Sequence, residues 1–430
     1  MAVRPHVVVV GSGFGGLNAA RQLASAPVDV TVVDRDNYHG FWPLLYQVAT
    51  AGLGADDIAH PIRSIYAAHQ NISVRMATVT VVDLGSRRVH TDGGPPLAYD
   101  YLILAAGSST TDFGIPGVSQ HTFPLKTLPD AVHLRNHILA TFERSDAAGE
   151  LAPPGSLTVV LVGGGPTGVE MAGALSELIG RNLASDFRRL DVTSARVVLV
   201  EMTDHLLPGF SPRSQQAALQ TLLDKGVEVR LSTTLAEVTA DGVRFEGGTS
   251  IPAATVVWTA GVRANPLAES VGGSHGKGGT VVVETDLSLP GHPEVFVIGD
   301  LAAAAGRDGD QLPQLAQVAI QGGRHAARQV RRRMAGKRTR PFGYHNHGIM
   351  ATIGRRAAVA ELPGGLAFSG TPGWLAWLAV HLTFLVGFRN RAVVLVNWGW
   401  NYLTWDRASR VIIEPEPGPE REAGPRGDGT

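Results

Sequence analysis

The chain has 430 residues, 44% of them hydrophobic and 17% charged, with 37 Lys and Arg against 38 Asp and Glu. That length suggests two or three domains, and the balanced charge gives no global reason to expect nucleic-acid binding. It has no cysteine, which excludes a disulfide framework, a thiolate zinc or iron–sulfur site, and any electron relay through a protein dithiol; no metal site is expected.

The first apolar run begins within a few residues of Met1, leaving no room for a secretory signal, so a cytosolic start is expected. Four consecutive valines, 7–10, run into Gly11-Ser12-Gly13-Phe14-Gly15-Gly16, and after an Ala/Leu-rich segment a second apolar run, 28–33, ends on Asp34. The pattern predicts a strand, a glycine turn, a helix and a strand. Gly11 would permit the tight turn, Gly13 would let a pyrophosphate approach the backbone, and Gly16 would let the helix pack close to the strand. The helix N-terminus would offer free N–H groups to the phosphates, and Asp34 stands where a carboxylate accepts hydrogen bonds from a ribose diol.

Residues 37–50 have no clear period and are rich in aromatic and bulky groups, so they are expected to be buried, packed against a flat cofactor ring. Residues 72–104 read as short strands and turns that feed a buried strand with a small-residue end, Ala105-Ala106-Gly107. Residues 147–155 read as a linker.

Then the opening pattern returns. An apolar strand at 157–162 meets Gly163-Gly164-Gly165-Pro166-Thr167-Gly168, a helix follows over 169–179, and a strand at 196–200 ends on Glu201. Glu201 lies 38 positions after Gly163, where ~20 is usual, so an extra helical excursion over about residues 177–191 is expected. Two such units imply two dinucleotides. Glu201 has no arginine beside it, which suits a free 2′-hydroxyl and favours NADH over NADPH.

Residues 227–262 read as short strands with turns at Asp241-Gly242 and 246–249, and 295–299 as a buried strand ending on Asp300, which either caps the next element or holds a ligand hydroxyl. A helix is expected over about 312–334, with Gln314, Gln317 and Gln321 on one face. Such amides are either satisfied core groups or donors to a ligand's carbonyl oxygens. Arg324, Arg328, Arg331, Arg332 and Arg333, followed by Lys337, Arg338 and Arg340, read as a solvated basic face.

The last hundred residues differ. An apolar stretch at 374–388 is separated by Arg389-Asn390-Arg391 from a second at 392–405. As helices each spans about 20 Å, short of the ~30 Å hydrocarbon core, so neither should cross a bilayer. Asn390, Asn397, Asn401 and Thr404 fall on one face and Leu395, Trp398, Tyr402 and Trp405 on another. Trp374, Trp377, Trp398 and Trp400, flanked by arginines, are the composition of an amphipathic helix pair lying on a membrane surface. The Pro/Glu/Gly-rich end, 413–430, is expected to be disordered.

Taken together, the two glycine motifs, Pro43-Leu44-Leu45-Tyr46-Gln47, Trp258-Thr259-Ala260-Gly261-Val262-Arg263, residues 295–300, Ala316-Gln317-Val318-Ala319-Ile320-Gln321 and residues 386–391 resemble the two-dinucleotide-binding-domain flavoproteins. Within them the likeness is to the type II NADH dehydrogenases, over roughly residues 5–410. The departure is Gly322-Gly323, where that family commonly has a further glutamine.

The resemblance implies an α/β fold with two Rossmann-like domains, for FAD and NADH, and a C-terminal membrane-association region. Its domains would be 1–116 and 280–336 for FAD, 117–279 for NADH, and 337–412 at the membrane surface. It implies that FAD is held by Gly11, Gly13, Phe14, Gly16, Asp34, Arg35, Gln47, Ala106, Gly107, Asp300, Ala316 and Gln317, with Asp300 on the ribityl chain. NADH would be held by Gly163, Gly165, Gly168, Glu170, Glu201 and Gly261. Glu170, Gln317 and Gln321 would serve catalysis, Glu170 near nicotinamide and flavin, the glutamines facing a quinone, ubiquinone or menaquinone. A homodimer on the cytoplasmic face of the membrane, without proton pumping, completes the expectation. Related disulfide reductases relay electrons through a cysteine pair where this chain has residues 41–50, so here the flavin must serve its acceptor directly. A soluble reductase of a small iron–sulfur protein is the alternative, and a nucleotide-sensing protein without turnover the third reading; a sulfide:quinone oxidoreductase would need cysteines.

Overall fold

A computed structural model describes residues 4–306, 308–404, 407 and 409–413. Of the expected disordered end, all but Ile413 lies outside the described residues, as does Trp405.

Two parallel sheets carry the fold. In the first, the strand His6–Val10 is central, flanked by Asp29–Asp34 and Tyr101–Leu104, with Ile72–Met76 and His292–Val297 beyond them and the short antiparallel Ser288–Leu289 at the edge. Val7, Val8 and Val9 are fully buried on both faces, which is why the run is continuous rather than alternating. Helix α1, Phe14–Leu23, follows the first glycine turn. The second sheet is parallel throughout, in the order Phe123–Pro124, Thr255–Trp258, Thr158–Val162, Arg196–Val200, Glu228–Arg230.

A 21-residue helix, α2 over Leu128–Ala148, is absent from the expectations above. Its start is locally encoded: Thr127 accepts from the Asp130 N–H while the Asp130 carboxylate accepts from the Thr127 N–H at 2.8 Å, a reciprocal cap. Helix α3, Pro166–Glu177, follows the second glycine turn and runs on through a wide-turn segment, Leu178–Leu183, into Ala184–Asp186. That is the expected excursion.

Between the two sheets the strand Val262–Ala264 pairs with Ser108–Thr110, and Leu267, Ala268, Val271 and Val281 join the core beneath the first sheet.

Helix α4 covers Ala316–Met334 and starts four residues later than expected, because Pro313 and the extended Leu315 precede it. Gln314 is therefore off the helix. Gly323 lies so close to α1 that a β-carbon there would stand 2.1 Å from the Gly15 carbonyl oxygen; this close crossing accounts for a glycine in place of a bulkier amide.

The C-terminal region opens with an antiparallel sheet, Ile349–Gly354, Ala357–Leu362 and Leu366–Ser369, whose first strand lies on α3. Helices α5, Gly370–Phe384, and α6, Phe388–Thr404, follow. The break falls at residues 385–387, so Arg389, Asn390 and Arg391 form the first turn of α6 rather than the separator. The two expected faces do not stay apart, since Trp398 is buried with the asparagines while Leu395 and Thr404 are exposed. Asn390 donates to the carbonyls of Asp57 and Ala59 at 3.1 and 3.0 Å, Asn397 to the Asp57 carboxylate at 3.1 Å, and Asn401 to the Gly52 carbonyl at 2.9 Å. The asparagine face docks inward, together with Val394 and Trp398, while Phe388, Leu395, Val396, Trp400 and Leu403 are exposed. Of the four tryptophans, Trp377 and Trp398 are core residues and only Trp400 is open.

Candidate active site

Both glycine turns have the same geometry. Gly11 and Gly163 take φ of +91° and +112°, which only glycine adopts readily, and a β-carbon on Gly16 or Gly168 would stand 1.8 or 1.9 Å from the carbonyl oxygen of Gly11 or Gly163. Gly13 and Gly165 cap α1 and α3 with extended backbone and no side-chain cap, and nothing lies within 4 Å of where their β-carbons would be. Neither helix carries an acidic residue in its first turn. Free N–H groups at the positive end of a helix, with open space in front, fit a pyrophosphate.

The two acids also correspond. Asp34 accepts from the backbone N–H of Ser12, and at 2.9 Å from that of Asp36; burial raises its carboxyl above the ordinary range while those bonds oppose it. Glu201 accepts from the Gly164 N–H at 2.6 Å and the Thr203 N–H at 2.9 Å. Each carboxylate is thus oriented by its own glycine turn and the residues that follow the acid. Arg35 is exposed and pairs with Asp36 at 3.6 Å.

Ala106 and Gly107 follow the strand Tyr101–Leu104, and Gly261 lies against the ring of Phe113, where Trp258 at the end of a second-sheet strand donates its Nε1–H to the Thr111 carbonyl at 2.9 Å. Asp300 sits in a tight turn, Gly299–Leu301, whose cap is Ile298. Its carboxylate accepts from the Ser108 hydroxyl at 2.6 Å, and the Gln314 amide donates to its carbonyl at 2.9 Å. It caps no following helix.

Residues 41–50 form a tight turn and one helical segment, Leu45–Ala49, buried mainly by protein. Phe41 meets the edges of Phe14 and His381 at 5.8 and 6.0 Å. Gln47 is engaged at both ends, donating to the Tyr46 hydroxyl and accepting from Trp398 Nε1–H, each at 2.8 Å. The amides of Gln317 and Gln321 are engaged likewise. Gln317 donates to the Gly348 carbonyl and accepts from the His347 N–H, both at 3.0 Å; Gln321 donates to the His345 carbonyl at 2.8 Å and accepts from its N–H at 3.0 Å. They hold the segment 345–348 as two rungs, a satisfied arrangement instead of a bare amide face.

Glu170 is buried on α3 beneath the strand Ile349–Gly354 and Trp377 of α5. Burial pushes its carboxyl up to about 8, opposed by the Thr352 N–H at 3.4 Å and the Trp377 indole. At neutral pH it holds a proton. His39 was not singled out by sequence: its Nδ1 faces the Ser12 carbonyl at 2.7 Å, so the proton sits on Nδ1, and burial lowers its pKa to about 4. Its Nε2 has no partner among the described residues. Lys126 and Ser108 were also missed, as no local pattern marks them, and Trp377, read as a membrane-surface tryptophan, is a core residue over Glu170.

Comparison with known proteins agrees with this geometry. Residues 5–323 match the family model for the pyridine nucleotide-disulphide oxidoreductases and residues 346–404 that of the NDH2 C-terminal domain. The chain is 40% identical over 426 residues to the type II NADH:quinone oxidoreductase NdhA of Mycobacterium tuberculosis, covering 95% of this chain and 89% of the relative. It is 38% identical to Ndh of the same organism, covering 96% and 91%. In fold it is similar to NDH2 of Plasmodium falciparum solved with NADH, with a TM-score of 0.85 at 18% identity over 96% of this chain and all of that one.

Proposed function

The chain belongs to the type II NADH:quinone oxidoreductases, and on that premise we propose the division of labour among its residues. It is an FAD-dependent enzyme that oxidises NADH and reduces a quinone. The observation that carries the reading is the pair of matching glycine turns, each with an oriented acid, in a chain without cysteine. Bound FAD supplies the two-electron carrier between the two substrates.

The first turn, with Gly11, Gly13, Gly16, Asp34, Gly107, Asp300 and Ala316, fits FAD, and the second, with Gly163, Gly165, Gly168, Glu201 and Gly261, fits NADH. His39 pins the first turn through the Ser12 carbonyl. Glu170 holds a proton at its carboxyl oxygen; NADH gives up two electrons and one hydrogen as hydride, so forming the quinol takes one further proton, and a buried acid ionising near 8 holds one at neutral pH. Gln317 and Gln321 shape the quinone side by fixing residues 345–348.

No helix among the described residues is long and apolar enough to cross a membrane. The outward stripe of α6, with Leu375, Val380 and Phe384 of α5, supports docking on a lipid surface, Phe388 and Leu403 being 88% and 84% exposed. The side facing the NADH pool, the cytoplasmic face, is the one proposed, with a homodimer as the surface's other occupant. Steady-state NADH oxidation by the purified FAD-loaded protein tests the acceptor: a short-chain quinone should sustain turnover, whereas turnover with a small iron–sulfur protein and none with quinone would favour the soluble-reductase reading.

A further inference from the structure

Lys126 has its backbone in the second unit, between the strand Phe123–Pro124 and the Thr127 cap of α2. Its ammonium nevertheless reaches the first. Nζ donates to the Ser108 hydroxyl at 2.8 Å, and that hydroxyl donates in turn to the Asp300 carboxylate at 2.6 Å. Because a hydroxyl has one proton, the direction is fixed: Lys126 gives, Ser108 relays, Asp300 receives. Three separate chain segments therefore meet at the carboxyl end of the first sheet, where ligands of open α/β sheets bind.

The arrangement is costly unless it does something. Burial lowers the lysine pKa, and the Asp300 charge counters that shift. A structural ion pair would close the gap directly, as Lys225 does with Glu177 at 2.7 Å. Here a hydroxyl is interposed, and it holds the ammonium off the carboxylate at a defined spot. Two of the three ammonium protons and the second carboxylate oxygen have no hydrogen bond among those found for the described residues. A cation kept near, but not neutralised by, an acid leaves a residual positive potential in a partly dry site.

We infer that Lys126 is a positioning residue for the oxidised and reduced states of the flavin: through Ser108 it orients Asp300, and its fixed charge favours the group that has gained an electron pair over the one that has not. The inference rests on the FAD reading above and deepens it. Because the lysine comes from the NADH-binding unit, the same contact ties the setting of one cofactor site to the placement of the other.

The test is the two-electron midpoint potential of bound FAD, measured by anaerobic spectral titration on the full-length holoprotein. Lys126→Met should weaken binding of reduced relative to oxidised FAD about tenfold, a fall of about 30 mV. Lys126→Arg should restore most of it, and Ser108→Ala should lower the potential by a smaller amount. A potential equal to wild type in FAD-loaded Lys126→Met overturns the inference. If that variant fails to fold or to hold FAD, Ser108→Ala decides, a wild-type potential there being fatal. Wild-type protein that takes up no FAD would instead refute the underlying reading, and this inference with it.

Discussion

Trp398 and Gln47, 351 positions apart, are joined by an indole N–H to amide oxygen bond of 2.8 Å in the protein interior. The bond ties α6, whose outer face is apolar and exposed, to the aromatic segment that lies beside the first glycine turn. Trp398→Phe keeps an aromatic ring but gives up the smaller ring of the indole and strands the amide oxygen, which alone should cost ~1–3 kcal/mol of stability, with a cavity term added. Denaturant unfolding reads it; an unchanged midpoint would mean that Gln47 finds another donor.

Glu170 makes stability depend on pH with a definite sign. Its folded-state pKa of about 8 stands above the ordinary glutamate value of 4.5, so the unfolded chain releases this proton first. The contribution is fully present below pH 4.5, is lost as pH rises toward 8, and is flat beyond. Glu170→Gln should remove that slope from the melting temperature between pH 5 and 8. A slope identical to wild type would show that Glu170 ionises normally.

The two dinucleotide turns should fail separately. Gly168→Ala places a β-carbon on the Gly163 carbonyl oxygen, so the variant should keep its yellow FAD but bind NADH at least tenfold more weakly. Loss of FAD instead would mean that the second turn does not serve NADH.

Gln317→Ala with Gln321→Leu removes the rungs to residues 345–348. Hydrogen exchange at the N–H groups of His345 and His347 should accelerate and quinone reduction should fall, while NADH still bleaches the flavin. Unaltered exchange would place the two amides outside the support of that segment.

The outward face of α6 makes a surface prediction. Val396→Glu with Leu403→Glu should abolish sedimentation with anionic liposomes and leave stability within about 0.5 kcal/mol, since both side chains are exposed. Persistent lipid binding would transfer the face to dimerisation, which sedimentation velocity without lipid would show.

What was legible in the sequence was local. Gly11, Gly16, Asp34 and their counterparts could be read because turn, helix start and acid lie within one supersecondary unit. The helix over Leu128–Ala148 was equally local, in its Thr127 and Asp130 cap, and was passed over. The facing of α6 was not readable. Its asparagines point inward because the carbonyls of Gly52, Asp57 and Ala59 accept from them, and those lie more than 300 positions away. The protonated state of Glu170 likewise comes from burial under Trp377 and the strand Ile349–Gly354, and the place of Lys126 from a contact between units. Periodicity reports which faces differ; it does not report which one is covered.

In a chain without cysteine, electrons from NADH reach a quinone through FAD with no protein thiol between them. Anaerobic protein should be given one equivalent of NADH and then one of a short-chain quinone while its visible spectrum is followed. The flavin bands should bleach and then return in full. Bands that bleach and stay bleached after quinone would contradict this route.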